Sequence, residues 1–462
     1  MKYSNGKVSD INIAYIGGGS RGWAWAFMAD LAMEESMSGT IRLYDIDEEA
    51  AKNNEIIGNI LTNRKDTVGK WNYTTSPSLE AALTGADFVV ISILPGTFEE
   101  MYSDVHEPEK YGIYQSVGDT AGPGGLMRAL RTIPMYVEIA EAIKKYSPKA
   151  WIINYTNPMT LCMRTLYEVF PEIKAFGCCH EVFGTQKLLA LMIEENLVIK
   201  NVDRRDIHVN VLGINHFTWF DEASYKGIDL FPMYEKFVER YYEEGFNEPD
   251  KNWANSSFEC AHRVKFDLFK KYGLIAAAGD RHLAEFMPPI YLKDPKTVKS
   301  WKFGLTTVDW RIDDLKKRME KSRNLATGKE DVDLKPSGEE GILLIKALVG
   351  LERVVSNVNI PNVGQITNLP LGEVVETNAV FSRDSIKPIM AGTLPQAIAD
   401  LIAPHVQNHD DILKAALTCD KELAFKAFMN DPLVTISVED GRKLFETMIE
   451  NTKKYLPDFL YK

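Results

Sequence analysis

A thiol, an imidazole and a carboxylate stand side by side near the middle of the chain, in the run Cys178-Cys179-His180-Glu181. A strand-like apolar run over 173–176 precedes them and a helix-like apolar run over 187–193 follows, so they occupy a strand-to-helix turn. Proteins built from alternating strands and helices place much of their chemistry at such turns. A structural interpretation is also open, with the cysteines as small buried apolar side chains and His180 and Glu181 as a helix cap.

A second residue with metal-binding chemistry follows a later strand. The apolar run 209–213 leads into Asn215-His216-Phe217-Thr218-Trp219, which puts His216 37 residues after Cys179. Each of the two follows a predicted strand, so both would lie at the same edge of a sheet. One thiolate and one imidazole are too few ligands for a structural zinc ion, but they suit an open, catalytic divalent ion that substrate oxygens or water complete.

A dinucleotide-binding loop is predicted near the amino terminus. The buried strand 10–16 runs into Gly17-Gly18-Gly19-Ser20-Arg21-Gly22, and an apolar helix over 23–33 follows. Glycines at these spacings allow a tight turn and let a pyrophosphate approach the helix. Asp45 ends the next strand, 23 residues past Gly22, where a carboxylate binds ribose hydroxyls and favours NAD over NADP. Asp47 is the alternative, although its acidic turn fits a solvated residue.

The strand at 88–94 contributes to the same predicted site. It is strongly apolar and stops at Pro95-Gly96. In a doubly wound sheet this edge faces the nicotinamide half of a dinucleotide. We therefore expect Ser92 and Pro95 to line the cofactor site.

Candidate substrate contacts lie in two later loops. The first is the glycine-dense run 118–126, which contains Asp119 and leads into a helix with Arg128 and Arg131. Either arginine alone could be solvated, but their place after a flexible loop fits an anion clamp. The second is Asn157-Pro158 after the strand 151–154, where Asn157 could cap a helix or hold a substrate hydroxyl.

The run Asp280-Arg281-His282 carries three more polar groups in the second half of the chain. These side chains could form a surface salt-bridge cluster. If they line a cleft, they offer a base, a carboxylate partner and a hydrogen-bond donor.

The order of these motifs predicts the fold class. Strands and helices alternate until Asp221, which is typical of an α/β protein with a Rossmann-type doubly wound parallel sheet. Helices dominate afterwards. We therefore predict an NAD-binding domain over 1–205 and an α+β domain over 206–462 for substrate and metal binding and for oligomerisation.

Composition narrows the class of function. The 462 residues are 45% hydrophobic and carry a net charge of −12, which fits a soluble globular protein and argues against nucleic acid or an anionic membrane as partner. The amino terminus lacks an apolar signal core, so we expect a cytoplasmic protein. Five cysteines without a framework spacing indicate free thiols or metal ligands.

Taken together, these motifs resemble the family 4 glycoside hydrolases over essentially the whole chain. The segments that carry the resemblance are Gly17 to Gly22, Gly118 to Arg131, Asn157-Pro158, Cys179-His180-Glu181-Val182, Asn215 to Trp219 and the region of Asn362. The resemblance implies a lactate/malate-dehydrogenase-like second domain, NAD⁺ and a divalent metal, usually manganese. It also implies glycosidic cleavage by oxidation at C3, elimination across C2 and C1, addition of water and reduction, in place of a carboxylate pair.

The resemblance assigns roles to particular residues. It implies that Cys179 and His216 bind the metal, that Asn157 contacts substrate on the metal side, and that His180 protonates the leaving oxygen. Many members have a tyrosine motif after the metal histidine as the C2 base. That motif is absent here, so Asp280 is expected as the base, with Tyr272 as the alternative.

The tetrapeptide beginning at the metal cysteine indicates the substrate class within this family. Cys-His-Glu-Val looks like the α-galacturonidase group, and a uronate carboxylate needs a cation, for which Arg281 and then Arg131 are the candidates. Asp119 and His282 complete the predicted substrate contacts. The expected substrates are small pectin-derived α-galacturonides, and the expected assembly is a homo-oligomer, a dimer or a tetramer.

Other functions compete with this prediction. Within the family the alternatives are an α-glucosidase, an α-galactosidase or an α-glucuronidase. Outside it, a net NAD-dependent dehydrogenase would share the cofactor fold but give no reason for Cys179 and His216 to meet at a metal. A non-catalytic NAD or sugar sensor would not depend on a metal.

Overall fold

The structure is a computed structural model that describes residues 1–249 and 258–461. Its strands are β1 (Lys2–Ser4), β2 (Lys7–Ile16), β3 (Met37–Tyr44), β4 (Lys70–Thr75), β5 (Phe88–Ile91), β6 (Trp151–Asn154), β7 (Lys174–Gly177), β8 (Ile207–Ile214), β9 (Phe217–Tyr225), β10 (Ile228–Asp229), β11 (Ile275–Ala276), β12 (Val354–Pro361), β13 (Val374–Ser382) and β14 (Ser385–Pro388).

The helices alternate with the strands as far as β7 and are grouped afterwards. They are α1 (Trp23–Ala32), α2 (Glu48–Thr62), α3 (Leu79–Leu83), α4 (Phe98–His106), α5 (Gly122–Tyr146), α6 (Met159–Val169), α7 (Glu181–Leu197), α8 (Phe231–Tyr241), α9 (Arg263–Tyr272), α10 (Asp280–Glu285), α11 (Pro295–Ser300), α12 (Val308–Ala326), α13 (Gly341–Leu348), α14 (Gln396–Thr418), α15 (Lys421–Asn430) and α16 (Val438–Thr452).

Six parallel strands form the centre of a ten-stranded sheet. Their order is β4-β3-β2-β5-β6-β7. The chain reverses direction between β2 and β5, which is the switch point where a doubly wound sheet binds its ligand at the carboxyl ends of the strands. Strand β5 is buried along its whole length, as expected for a parallel strand covered by helices on both faces. The predicted α/β class with a parallel sheet is confirmed.

Strands from the second half of the chain extend this sheet. β12 pairs antiparallel with β7, and β13 and β14 continue in the same manner. The sheet therefore continues across the predicted boundary at 205/206, and Asn359 on β12 lies opposite Gly177 at the end of β7.

A second, smaller sheet lies beside the first, with β8 next to β13. It has four antiparallel strands, in which β9 pairs with β8, β10 and β11. The tight β8–β9 turn carries Asn215 and His216, and β11 leads into α10. Helix α5 packs its buried amino-terminal half into a core shared with β8, β9 and the carboxyl-terminal helices. In the described part of the chain, no helix is long and apolar enough to cross a membrane.

Candidate active site

The glycine loop after β2 has the shape that a dinucleotide requires. Gly17 has a φ of +88°, and a Cβ atom there would lie 2.0 Å from the carbonyl oxygen of Ser92. A side chain is thus excluded on both conformational and steric grounds. The amide nitrogens of Gly17 and Gly18 donate to the carbonyl of Tyr44 at 2.9 Å each, which fixes the loop beside the end of β3.

Asp45 and Asp47 have different partners. Asp45 Oδ2 accepts a hydrogen bond from the amide of Gly19 at 2.8 Å, so its carboxylate lies on the loop that would receive the cofactor. Asp47 caps α2 by accepting from the amide of Ala50 at 3.0 Å and pairs with Arg21 at 2.9 Å. The geometry therefore favours Asp45 over Asp47 as the group for ribose.

The other predicted cofactor residues surround the same loop. Gly22 is the N-cap residue of α1, and the amide of Ser20 closes a turn onto the carbonyl of Gly17. Ser92 follows β5, its amide donating to the carbonyl of Ile16, and the buried Pro95 ends the next turn. A residue that the sequence analysis missed, Asn54, donates from Nδ2 to the carbonyls of Gly18 and Ser20 and so holds the loop from beneath.

His216, Asp119 and His282 come together across the cleft. Their ligating atoms lie within 4.8 Å of one another, and the rings of His216 and His282 are 3.8 Å apart between centroids. Thr120 joins them, with its hydroxyl 2.8 Å from Asp119 Oδ1 and 3.1 Å from His216 Nδ1. The fold thus brings a predicted metal ligand and two predicted substrate contacts, from three separate segments, into one group.

The charge states of this group follow from burial and from mutual contact. Burial and the adjacent His282 lower the pKa of His216 to about 3, and burial also lowers the pKa of His282. Burial opposes ionisation of Asp119, but Arg128 and the two histidines hold its pKa well below the usual range. The site therefore contains neutral imidazoles and one ionised carboxylate near neutral pH, which are the forms that bind a divalent cation.

Cys179 is linked to His216 by Asn215. It is buried, and the side chain of Asn215, the residue directly before His216, acts to lower the pKa of its thiol. Burial and the carboxylates of Glu376 and Glu181 raise the pKa of the thiol well above its usual range. A bound divalent cation would reverse this effect, because a coordinating thiol loses its proton.

Three polar residues of the candidate site have buried atoms with unmet hydrogen-bonding capacity among the described residues. In the described part of the chain, Asn157 Oδ1, Asn215 Oδ1 and His282 Nδ1 are buried without a hydrogen-bond partner. Buried polar atoms are normally paired, and amide oxygens and imidazole nitrogens are cation ligands. The N-cap position of α6 belongs to Pro158, so the capping alternative for Asn157 does not account for its side chain.

His180 stands at the mouth of the site. Its side chain is 52% exposed, its Nδ1 lies 3.2 Å from Glu339 Oε1 and its ring lies 6.0 Å from that of Trp23. Partial desolvation of the imidazole acts to lower the pKa of His180, but the hydrogen bond to Glu339 and the charge of Glu181 raise it to about 9.

Glu181 connects the two sides of the site. Its Oε2 accepts from the amide of Gly279 at 2.6 Å, and its Oε1 lies 3.7 Å from His282 Nε2 and 3.9 Å from His180 Nε2. Although burial opposes ionisation, the neighbouring histidines lower its pKa to about 2. The side chain that distinguishes the Cys-His-Glu-Val sequence is therefore a charged acceptor inside the site, not merely a helix cap.

The two arginines proposed for the uronate carboxylate are both engaged by the protein. Arg131 is buried and forms a two-pronged ion pair with Asp104, at 3.1 and 2.5 Å, which joins α5 to α4. This pairing leaves Arg131 a structural role. Arg281 donates from Nη2 to the carbonyl of Ser116 at 2.7 Å and to the hydroxyl of Thr306, and burial lowers its pKa to about 10.

Asp280 and Tyr272 are both engaged by other parts of the protein. The carboxylate of Asp280 is fully buried and accepts from the amides of Val264 and Lys265 at 3.1 Å each, which caps α9. Tyr272 lies at the other end of α9, about 12 Å further along the helix axis, and contacts the edge of Trp219. The geometry gives Asp280 a structural role in place of the expected catalytic one, and it places Tyr272 in the core packing.

The capping by Asp280 also explains a second group of potential ligands. Cys260, His262 and Asp280 have ligating atoms within 4.8 Å of one another. Both oxygens of Asp280 are already used by the helix amides, and the buried ammonium of Lys265 acts on the same carboxylate. We therefore interpret these three side chains as part of the structure that begins α9, and not as a metal site. Helix α9 begins at Arg263, directly after His262 in a left-handed conformation.

Two features of the site had no counterpart in the sequence patterns. Glu285 is fully buried, and its Oε1 accepts from the amides of Val117 and Gly118 at 2.6 and 2.9 Å, which anchors the loop that carries Asp119. Arg311 projects from the first turn of α12 toward the charge of Asp119. Their partners are over a hundred residues away in sequence, and no local motif marks them.

Comparison with known proteins agrees with this architecture. The model of the family 4 glycosyl hydrolase matches residues 12–195, and that of the family 4 glycosyl hydrolase C-terminal domain matches residues 211–434. The chain belongs to the family 4 glycosyl hydrolases. The resemblance predicted from the sequence is therefore confirmed, and the protein is a glycosyl hydrolase by family.

Individual relatives of this glycosyl hydrolase match it over nearly the whole length. The alpha-galacturonidase of Lachnoclostridium phytofermentans is 69% identical over 461 residues, which cover 99% of each chain. The crystal structure of lplD from Bacillus subtilis superposes with a TM-score of 0.92 at 52% identity, covering 95% of this chain and 100% of that chain. A 6-phospho-alpha-glucosidase from gut microorganisms, solved with NAD and Mn²⁺, shares the fold with a TM-score of 0.80 at 22% identity, covering 97% and 99% of the two chains.

Proposed function

We propose that this family 4 glycosyl hydrolase cleaves small α-galacturonides with the help of NAD⁺ and a divalent cation, with manganese as the expected ion. The observation that carries the substrate class is the 69% identity to an alpha-galacturonidase over 99% of both chains. The position of Glu181 inside the site supports it, because the residue that marks the tetrapeptide contacts the histidines beside the reacting centre.

The residues proposed to hold NAD⁺ follow β2, β3 and β5, at the carboxyl end of the parallel sheet. They are Gly17, Gly19, Ser20, Gly22, Asp45, Ser92 and Pro95. The support for this assignment is the close approach at Gly17, the bond from the amide of Gly19 to Asp45, and the start of α1 at Gly22, because the first amides of a helix stabilise a pyrophosphate.

The residues proposed to hold the metal are Cys179 and His216, with the amide oxygen of Asn157 as a third contact. Their support is the amide oxygen of Asn157, which is buried without a partner among the described residues, and the effect of Asn215, the residue before His216, on the pKa of the Cys179 thiol. When bound, NAD⁺ would supply a reversible hydride acceptor, and the cation would polarise a sugar oxygen. Asp119 and His282 are the alternative ligands beside His216.

The proton-transferring side chains are assigned from position. His180 is exposed at the mouth of the site and is the proposed acid for the leaving oxygen. With Asp280 and Tyr272 occupied elsewhere, we assign the base for the C2 proton to His282. Its Nδ1 is free of hydrogen bonds within the described residues, and Glu181 lies behind its Nε2 at 3.7 Å, an arrangement that orients an imidazole base.

The test of the substrate class is a matched panel of glycosides. Release of sugar from an α-galacturonide, an α-glucuronide, an α-galactoside and an α-glucoside would be followed with NAD⁺, Mn²⁺ and a thiol reductant. We expect preference for the galacturonide. Preference for another glycoside would contradict the assigned substrate and leave the family intact. The cytoplasmic location and the homo-oligomeric state remain predictions.

A further inference from the structure

Three arginines near Asp119 have no carboxylate partner among the residues that the structure describes. Within the described residues, Arg128, Arg281 and Arg311 form no ion pair within 4.0 Å, although Arg128 and Arg281 are buried and Arg311 is half-buried. Asp119 and Glu285 are the acids that act on Arg311 from a distance. Since burial raises the pKa of Glu285 to about 7, this side of the cleft carries an excess of positive charge at neutral pH.

The three guanidinium groups differ in how many donors remain available. Arg128 uses Nε on the carbonyl of Asn157 at 2.9 Å. Arg281 uses Nη2 on Ser116 and Thr306. Arg311 makes no side-chain hydrogen bond to the part of the chain that is described, and its Nε is buried without an acceptor. No described residue therefore occupies the hydrogen-bond donors of its planar guanidinium.

The position of Arg311 directs it toward the cleft. It is in the first turn of α12, and Arg318 follows seven residues later on the same face of the helix. Arg318 Nη1 donates to the carbonyl of Arg21 in the cofactor loop at 3.2 Å, so this face of α12 borders the cleft. Arg311 lies about 10 Å back along the helix, and its guanidinium shares the ring of Phe258 with that of Arg281, at 5.9 and 5.0 Å.

We propose that Arg311 binds the carboxylate of the uronate ring and thereby sets the preference for acidic over neutral glycosides. This inference rests on the proposed function and replaces Arg281 and Arg131 as the primary carboxylate contact. A guanidinium fork matches a carboxylate with two parallel hydrogen bonds, which a neutral hydroxymethyl group cannot supply. Arg281 and Arg128 would add charge from behind without direct contact.

The experiment compares Arg311→Gln and Arg311→Lys with the wild type, and Arg323→Gln, at an exposed position of the same helix, is the control. For each protein, kcat/KM would be measured for an α-galacturonide, and the inhibition constants would be measured for free galacturonic acid and galactose. Because a charged hydrogen bond is lost, we expect Arg311→Gln to raise the inhibition constant of galacturonic acid about 10- to 100-fold. The inhibition constant of galactose should stay within about threefold of the wild-type value. Arg311→Lys should fall between Gln and wild type, and Arg323→Gln should match the wild type.

Binding of NAD⁺ separates the two anions that Arg311 could serve. We expect the dissociation constant for NAD⁺ in Arg311→Gln to equal that of the wild type. A weaker NAD⁺ complex with unchanged galacturonic acid inhibition would reassign Arg311 to the cofactor phosphates and overturn the proposal. Equal weakening of galacturonic acid and galactose would also overturn it. A wild-type enzyme that cleaves only neutral glycosides would instead contradict the proposed function itself.

Discussion

Replacement of Glu285 is the perturbation whose consequences the structure specifies most fully. This carboxyl group is fully buried on α10, three residues after His282, and its Oε1 accepts from the amides of Val117 and Gly118. It therefore fixes the Asp119 loop to the helix that carries His282. Its Oε2 is buried without a partner in the described structure.

Two substitutions separate the hydrogen bonds of Glu285 from its charge. Glu285→Leu leaves two buried amides without an acceptor, which costs about 1–3 kcal/mol each and so about 2–6 kcal/mol together. Glu285→Gln keeps an acceptor oxygen for both amides and removes the ionisable group. We expect kcat to fall about 10- to 100-fold in the leucine variant, because Asp119 and Thr120 lose their position, and to stay within about threefold in the glutamine variant.

The charge of Glu285 also predicts a pH dependence of stability. Burial raises its pKa from 4.5 to about 7 in the folded protein. The folded state thus holds the proton more tightly than the unfolded state. The contribution of Glu285 to stability is complete below pH 4.5 and is lost as the pH rises through 7. For this shift, linkage gives a loss of about 2–3 kcal/mol between pH 5 and pH 8.

The measurement is denaturant unfolding of the wild type, Glu285→Gln and an exposed control, Glu320→Gln, at pH 5 and pH 8. The wild type and the control should lose about 2–3 kcal/mol more over this interval than Glu285→Gln does. Identical pH dependence in all three proteins would refute the raised pKa. A leucine variant with wild-type stability and kcat would refute the anchoring role.

Three further substitutions test the assigned residues. Cys179→Ser should abolish metal-dependent turnover and leave the dissociation constant for NAD⁺ unchanged by calorimetry; full activity would remove Cys179 from the metal site. Asp45→Ala should raise the dissociation constant for NAD⁺ about 10- to 100-fold, because it removes a charged acceptor for ribose and the bond to the amide of Gly19. An unchanged dissociation constant would show that Asp45 does not contact the cofactor. His282→Asn should stop incorporation of solvent deuterium at C2 of the sugar, as read by NMR; continued exchange would assign the base to another side chain.

The fold and the cofactor loop could be predicted because their signals are local. The alternation of apolar strands and helices, and the glycines that follow β2, depend on residues close in sequence. The same holds for Asp45 at the end of β3 and for Cys179 and His216 at two strand ends. Parallel strands share one edge of a sheet, so the topology alone places Asp45 and Cys179 at that edge. The expectation that His216 would lie at the same edge of one sheet was wrong, because His216 is in the β8–β9 turn of the second, antiparallel sheet.

The remaining parts of the site could not be predicted because they depend on distant partners. Arg131 looked free beside the glycine loop, but it pairs with Asp104. Asp280 looked like a base, but the amides of α9 occupy both of its oxygens. The sequence likewise does not show that Arg311 lacks an acceptor among the described residues, because it lies in a charged helical stretch with several other basic residues.

The central claim is that the chain cleaves its glycoside through a hydride that leaves and returns. The most direct measurement follows galacturonic acid and the absorbance of NADH at 340 nm in the same reaction, with and without added NAD⁺. We predict many turnovers of galacturonic acid that require NAD⁺, with no accumulation of NADH. Mole-for-mole formation of NADH would contradict the claim and identify a net dehydrogenase, and release of galacturonic acid independent of NAD⁺ would contradict any role for the cofactor in the cleavage.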